Sequence, residues 1–339
     1  MNSTVKVLIS VHFEADLIRQ INAVSPRLEV ITHAVSKIEE IPQETWQDVE
    51  VLYTHKVLPE LGVALDLKWI QFHRAGNERF LDAPILQKPN LVATSLSGAS
   101  VPQVAEHVLE MILALGHRLP EAMEQKQQGT WPEDREARFS PQELNQSTVG
   151  IIGYGSIGRE VARLCQAFGA TILATKYDAR HPDHLGYMLD GTGDPEGDLV
   201  HRLYPAQAVS SMLKECDFVV VCVPLTPETQ NLIAESELAA MRSTASLVDI
   251  SRGGVVSHAH LIAALQEGMI AGAALDVFPE EPLPEDSPLW KLPNVIITPH
   301  IAGVTQHYDQ RAVSLFIDNL NRYLAKEPLL NQINLERGY

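Results

Sequence analysis

The chain has 339 residues, with 43 acidic against 26 basic side chains and a formal net charge of −17. That length divides by default into two domains, and 45% apolar content suits a globular protein with a sizeable core. The acidic balance excludes a nucleic acid or an anionic membrane surface as partner, since both need a cationic face, so a small anionic ligand would have to be met by locally placed arginines.

The amino terminus, MNSTVKVLIS, has no cationic run and no long apolar block, and its Val5, Val7 and Ile9 alternate as in a strand. A cytoplasmic protein is expected. Cys165, Cys216 and Cys222 lack the paired spacing of a zinc site and are too few for a disulfide scaffold, so buried thiols and no metal are expected. Through residue 100, strand-like runs (VKVLI, LEVITHA, EVLYT, KWIQF, NLVATS) alternate with short segments of helical character, an open parallel α/β pattern.

At residue 100 the character changes. Ser100 suits a cap, Pro102 the first helical turn and Gln103 a capping box, and Val104, Ala105, Val108, Met111, Ile112 and Leu115 keep a helical period. A long helix, buried on one face and breaking up near Gly129, is predicted, with a polar surface excursion over 126–147. From Thr148 the alternation resumes to about residue 298, with strands at TVGII, TILAT, DFVVVCV, ASLVDI, AGAALDV and NVIIT, a doubly wound sheet. A closing helix from about Gln306 to Ala325, capped by Thr305 and apolar along Val313, Phe316, Leu320 and Leu324, is expected to return to the first hundred residues. The predicted fold is α/β with two doubly wound parallel-sheet domains. A Rossmann-type cofactor domain, 101–300, is inserted into a flavodoxin-like substrate domain, 1–100 plus 301–339.

The stretch VGIIGYGSIGREVA joins a strand to a helix through Gly153, Gly155 and Gly158. The first glycine suits the tight turn, the second a close approach of backbone to a diphosphate, and the third the packing of helix on strand. The diphosphate would lie on the helix N-terminus, with amides from Ser156 and Ile157. Three further stretches end later strands: VDISRGG with Arg252, ALDVFPEEPLP with Asp276 and Glu281, and IITPHIAG with His300. Reduction of a ketone leaves an alkoxide that must be protonated, a task for His300. A carboxylate beside the imidazole, Glu281, would orient it and favour its protonated form. Arg252 suits a two-pronged grip on the carboxylate and carbonyl of a 2-keto acid. Asp276 is placed to accept from a nicotinamide carboxamide, or else to cap its turn.

In these motifs, together with WIQFHRAG, VPQVAEHVLEMILAL and CDFVVVCVPLTPETQNLI, the chain resembles the D-isomer-specific 2-hydroxyacid dehydrogenase family over nearly its whole length. The resemblance implies that Arg252, Glu281 and His300 are the catalytic arginine, glutamate and histidine. It adds Val223, Pro224, Ile250 and Gly303 to the cofactor residues, and implies a homodimer built around the long helix and a substrate held between domains. The substrate class is a small anionic 2-keto or 2-hydroxy acid such as glyoxylate, hydroxypyruvate or pyruvate. Where the family commonly has a glycine- or serine-rich turn for the substrate carboxylate, this chain has Arg74, Ala75 and Gly76: the small pair keeps the backbone role, and Arg74 is either a second cation or a solvated side chain. Residues 181–205 exceed the family's usual link and read as a surface loop near the adenine end. No regulatory domain is expected after Tyr339, which counts against a feedback-regulated phosphoglycerate dehydrogenase.

The family's ribose-binding acid falls at position 176, where this chain has Lys176. Lysine cannot accept from ribose hydroxyls and attracts a 2′-phosphate, with Arg180 as a second cation, so NADP(H) is favoured slightly over NAD(H); against it, Asp178 would reach the ribose if the strand ran longer. Two alternatives stand beside the reductase. A formate dehydrogenase-like enzyme would have glutamine for Glu281, and a nicotinamide-sensing corepressor-like binding protein would share the fold and the triad.

Overall fold

The apolar runs VKVLI, VEVLYT and WIQF form strands buried on both faces, as central strands of a parallel sheet require, while the edge run LEVIT is only half-buried. The computed structural model describes residues 4–335 and 337; the readings placed on residues 1–3, 336, 338 and 339 lie outside the described residues. The chain divides into two compact units, Met1–Ser100 with Thr305–Tyr339, and Val101–Val304.

The first unit holds β1 (Val5–Ile9), α1 (Ala15–Ala23), β2 (Leu28–Thr32), β3 (Val49–Thr54), β4 (Trp69–Phe72) and β5 (Val92–Thr94). The strands are all parallel, in the order β2-β1-β3-β4-β5. This is the flavodoxin-like order, which reverses between β1 and β3 and leaves a ligand crevice beyond the strands' carboxyl ends.

The second unit opens with α2 (Val101–Gly116), α3 (Leu119–Gln128) and α4 (Arg135–Arg138), then β6 (Thr148–Ile152), α5 (Ser156–Ala167), β7 (Thr171–Lys176) and β8 (Arg202–Pro205). It continues with α6 (Val209–Leu213), β9 (Phe218–Val221), α7 (Glu235–Ala240), β10 (Ser246–Asp249), α8 (His258–Gln266), β11 (Gly272–Leu275) and β12 (Val295–Ile297). Seven parallel strands run β12-β11-β10-β9-β6-β7-β8. The order reverses between β6 and β9, so the crevice lies beyond their carboxyl ends, where the glycine turn leaves β6. The edge strand β8 corrects the reading of 181–205 as loop throughout: four residues ending in proline carry too short a pattern to be read as a strand.

The long helix ends at Gly116, and Gly129 terminates α3 with positive φ. Gln103, expected in a capping box, donates from Nε2 to the Gly303 carbonyl at 3.1 Å. The last helix, α9 (Tyr308–Ala325), belongs to the first unit. It begins two residues later than predicted, because the Thr305 hydroxyl accepts from the His307 N–H at 3.2 Å and so closes a turn rather than capping the helix. Val313, Phe316 and Leu320 bury against Tyr53 and Trp69, and the fully buried Asn319 ties the helix to the sheet through Gln71 at 3.3 Å and to the Leu330 N–H at 2.7 Å. Among the described residues no helix is long and apolar enough to cross a membrane.

Candidate active site

The glycine turn packs as its sequence demands. A Cβ on Gly158 would lie 2.4 Å from the Gly153 carbonyl oxygen and 2.9 Å from Ile151, and Gly153 itself has φ +103. A Cβ on Gly155 would meet nothing within 4 Å. Gly158 therefore serves helix-on-strand packing and Gly153 the tight turn, while Gly155 faces open space, as a turn needs if a diphosphate is to reach its backbone. The first-turn N–H groups of α5, Ser156 and Ile157 included, have no acceptor within the helix and carry its positive dipole end. Val223 flanks the turn, where a Cβ on Gly153 would lie 2.8 Å from its side chain, and the Pro224 carbonyl is held by the Thr229 hydroxyl at 2.6 Å. Ile250 is buried at the end of β10. These residues fit a dinucleotide.

The ends of β10, β11 and β12 bring three predicted side chains together. His300 Nδ1 lies 2.8 Å from Glu281 Oε2. A carboxylate only accepts, so Nδ1 carries the hydrogen and Nε2 is left for a second partner. Glu281 Oε1 also accepts from the Phe278 N–H at 3.0 Å. Burial alone would raise this carboxyl; the His300 ring, the Phe278 N–H and the positive charges of His300 and Arg252 outweigh it and hold it below the usual range. Arg252 is thus near enough to act on Glu281, and its Nη1 donates to the Ser251 carbonyl at 2.7 Å. The next residue explains the proximity: a Cβ on Gly253 would fall 1.9 Å from the Phe278 carbonyl oxygen, so the arginine turn lies directly on the glutamate loop.

Asp276 holds a turn, the second of the two roles expected of it. Only 3% exposed, it accepts from the Thr298 hydroxyl (2.6 Å) and the Ile301 N–H (2.9 Å) on Oδ1 and from the Ala302 N–H (3.0 Å) on Oδ2. These bonds hold the loop that carries His300, whose φ of +54 would otherwise cost roughly 1–2 kcal/mol. His107 supports the same network from α2, 3.3 Å from the Thr298 hydroxyl. Neither His107 nor Thr298 was singled out in the sequence, and nothing in their local pattern marks them. Asp249 is a further missed group: fully buried behind Arg252, it accepts from the Ser251 N–H (3.0 Å) and hydroxyl (2.5 Å), and burial pushes its carboxyl up to about 7 against those bonds.

At the end of β7 the expected geometry changes. Lys176 donates from Nζ to the carbonyls of His181 and Asp183, the latter at 2.8 Å. The strand stops at Lys176, so Asp178 lies in the following turn rather than on the same strand face, and it pairs with the His181 ring at 2.7 Å and the Arg180 N–H at 3.2 Å. Arg180 is exposed. In the first unit, Arg74 is exposed at the end of β4, but its guanidinium lies 4.7 Å from the centre of the Tyr308 ring. The Tyr308 hydroxyl donates to the His73 carbonyl at 2.7 Å. Burial, with Arg74 and His55 adding to it, pushes His73 down to about 3, so the imidazole beneath stays neutral. Asn77 Nδ2 holds the carbonyls of Arg74 (2.8 Å) and Ala75 (3.3 Å). Among the described residues no group of three His, Cys, Asp or Glu side chains is placed to hold a metal ion.

The family model for the D-isomer specific 2-hydroxyacid dehydrogenase NAD-binding domain matches residues 109–302, more than half of the chain. The chain belongs to this family. A glyoxylate reductase from Thermofilum pendens is 35% identical over 278 residues, covering 81% of this chain and 78% of that protein. A D-3-phosphoglycerate dehydrogenase from Methanocaldococcus jannaschii is 33% identical over 75% of this chain, which spans only 45% of that longer enzyme. A solved D-isomer specific 2-hydroxyacid dehydrogenase from Xanthobacter autotrophicus, in complex with NADPH, superposes with a TM-score of 0.79 at 28% identity, covering 99% of this chain and 100% of that one. The flavodoxin-like and Rossmann-type sheets are thus those of a 2-hydroxyacid dehydrogenase.

Glu281→Gln keeps the shape of the His300 contact but removes the negative charge that the ring and Arg252 hold in place. The variant should keep dinucleotide binding and lose kcat in 2-keto-acid reduction by about ten-fold or more; unchanged kcat would separate Glu281 from the chemistry.

Proposed function

We propose that the protein reduces a small 2-keto acid, of the glyoxylate, hydroxypyruvate or pyruvate class, to its D-2-hydroxy acid with a reduced nicotinamide dinucleotide. The observation that carries the reading is the 2.8 Å contact between His300 Nδ1 and Glu281 Oε2, beside Arg252 and on the same sheet as the glycine turn. The bound cofactor supplies the hydride. His300, held at Nδ1, presents Nε2–H to the carbonyl oxygen and gives up that proton as the alkoxide forms; Glu281 stabilises the imidazolium beforehand. Arg252 grips carboxylate and carbonyl oxygen with its planar guanidinium, fixing the reacting carbon. In the first unit, the turn of Arg74, Ala75 and Gly76, with the Arg74 guanidinium steadied on Tyr308, offers a small backbone and a cation of the kind that suits a carboxylate. A glutamate paired with histidine argues against formate oxidation, which needs no acid–base couple.

NADP(H) is the favoured cofactor. Two of the three protons on Lys176 Nζ go to loop carbonyls, which aims the ammonium and leaves the third for a 2′-phosphate. The relative solved with NADPH supports the same choice. A homodimer fits the strip formed by Leu109 and Leu113 of α2 with the exposed Leu119 and Phe168, and a cytoplasmic setting fits three free cysteines, two of them buried.

His300→Asn should retain dinucleotide binding and lose at least ~10²-fold in kcat; near-normal turnover would remove His300 from the chemistry. For the cofactor, kcat/KM with NADPH should exceed that with NADH in the native protein, and Lys176→Ala should reduce the preference several-fold, by roughly the value of an exposed ion pair. A native protein that already prefers NADH would refute the assignment of Lys176.

A further inference from the structure

The segment between β7 and β8 is bound down from beneath. Arg159, immediately after the third glycine of the turn, is 0% exposed. Its guanidinium lies 4.6 Å from the centre of the Tyr154 ring and donates from Nη1 to the Asp194 carbonyl and from Nη2 to the Pro182 carbonyl. One side chain thus ties together two points of the segment twelve residues apart. Asp194, 5% exposed, accepts from the Tyr154 hydroxyl at 2.5 Å and from the N–H groups of Asp198 (2.9 Å) and Leu199 (3.1 Å). Glu160, also buried, accepts from the Gly193 N–H at 2.6 Å while Arg163 holds its carboxylate at 2.6 and 2.8 Å. Lys176 completes the attachment through the carbonyls of His181 and Asp183.

Every one of these anchors belongs to the glycine turn, the first two turns of α5 or the last residue of β7. Those are the elements whose ends receive the diphosphate and the adenosine ribose of a dinucleotide. Taking a guanidinium and two carboxylates out of water is costly, and here the cost is offset by bonds within and to this segment, by Tyr154 and by Arg163. An unattached surface loop needs none of them.

We propose that residues 181–195, clasped by Arg159, form a standing wall at the adenosine end of the dinucleotide site, and that Arg159 is a positioning residue for the cofactor's adenosine half. The inference rests on the dinucleotide-binding reading of the glycine turn. The wall is in place before the cofactor arrives. It sets the ammonium of Lys176, because the two carbonyls that aim Nζ belong to the clasped segment, and it borders the ribose on the side away from the sheet. Arg159 acts through the wall, not by touching the ligand. Its removal weakens the hold on adenosine-bearing ligands and leaves the His300, Glu281 and Arg252 arrangement, built on β10 to β12, as it was.

The test compares the native protein with Arg159→Met, which keeps the length of the side chain and removes its donors. Binding of ADP-ribose and of 2′,5′-ADP is measured by calorimetry, steady-state kinetics are run with both reduced cofactors, and limited proteolysis is carried out without cofactor. The native segment should resist cleavage unliganded. Arg159→Met should be cut within 181–195, bind both fragments about ten-fold more weakly and raise the KM for cofactor similarly, with kcat falling by less than roughly two-fold. Should that variant fail to fold, Tyr154→Phe, which removes only the hydroxyl on Asp194, should shift fragment affinity in the same direction to a lesser degree. Unchanged fragment affinity in a cleavable variant would show the clasp to be structural only, and native protection that appears only with cofactor would replace the standing wall by a moving one. Failure of the native protein to bind either fragment would instead refute the dinucleotide reading itself.

Discussion

The carboxylate of Asp276 is the constraint on which the site geometry depends. It stands at the end of β11, buried, and collects a hydroxyl and two N–H groups from the five residues that begin at Thr298. A buried carboxylate left without partners would be destabilising, so the loop is held wherever these donors reach, and His300 is held with it in a left-handed backbone conformation. Its imidazole then faces Glu281, whose other oxygen is occupied by the Phe278 N–H, while the carbonyl of Phe278 leaves room only for a glycine after Arg252. Through a handful of contacts the ends of three adjacent strands become one rigid surface, the preorganisation that proton transfer to a forming alkoxide requires.

Charge is arranged on two scales. The chain as a whole is strongly acidic, yet the groups at its strand ends include Arg252, Lys176 and, in the first unit, Arg74. Lys176 is held by two carbonyls, Arg74 lies on the Tyr308 ring, and Arg252 donates to the Ser251 carbonyl while lowering the Glu281 carboxyl.

Much of this was legible in the sequence, and the parts that were not share a cause. The strands of both sheets, the glycine turn and the family motifs are local signals, set by periodicity or by the conformational demands of one residue, and they survive whatever surrounds them. Asp276 and Lys176 were read in isolation and Arg159 was not singled out at all, and each one's partners come from a segment with no periodicity: 298–302 for Asp276, 181–183 for Lys176, 182 and 194 for Arg159. Lys176 could be read as a cation, but not as a clamped one. Asp178 was weighed as a ribose acceptor on the assumption of a longer strand, and the turn that follows Lys176 hands it to His181 instead. Thr305 had the composition of a cap and the position of a turn residue, a difference that a single hydrogen bond to His307 decides.

The most direct measurement follows the hydride itself. When hydroxypyruvate is reduced with NADPH carrying deuterium at the transferred position of the nicotinamide ring, the label should appear on C2 of the product, and the product should be the D isomer, with one cofactor consumed for each molecule formed. Cofactor binding without consumption by any 2-keto acid, or a product whose C2 hydrogen comes from water, would contradict the assignment of hydride transfer to this site.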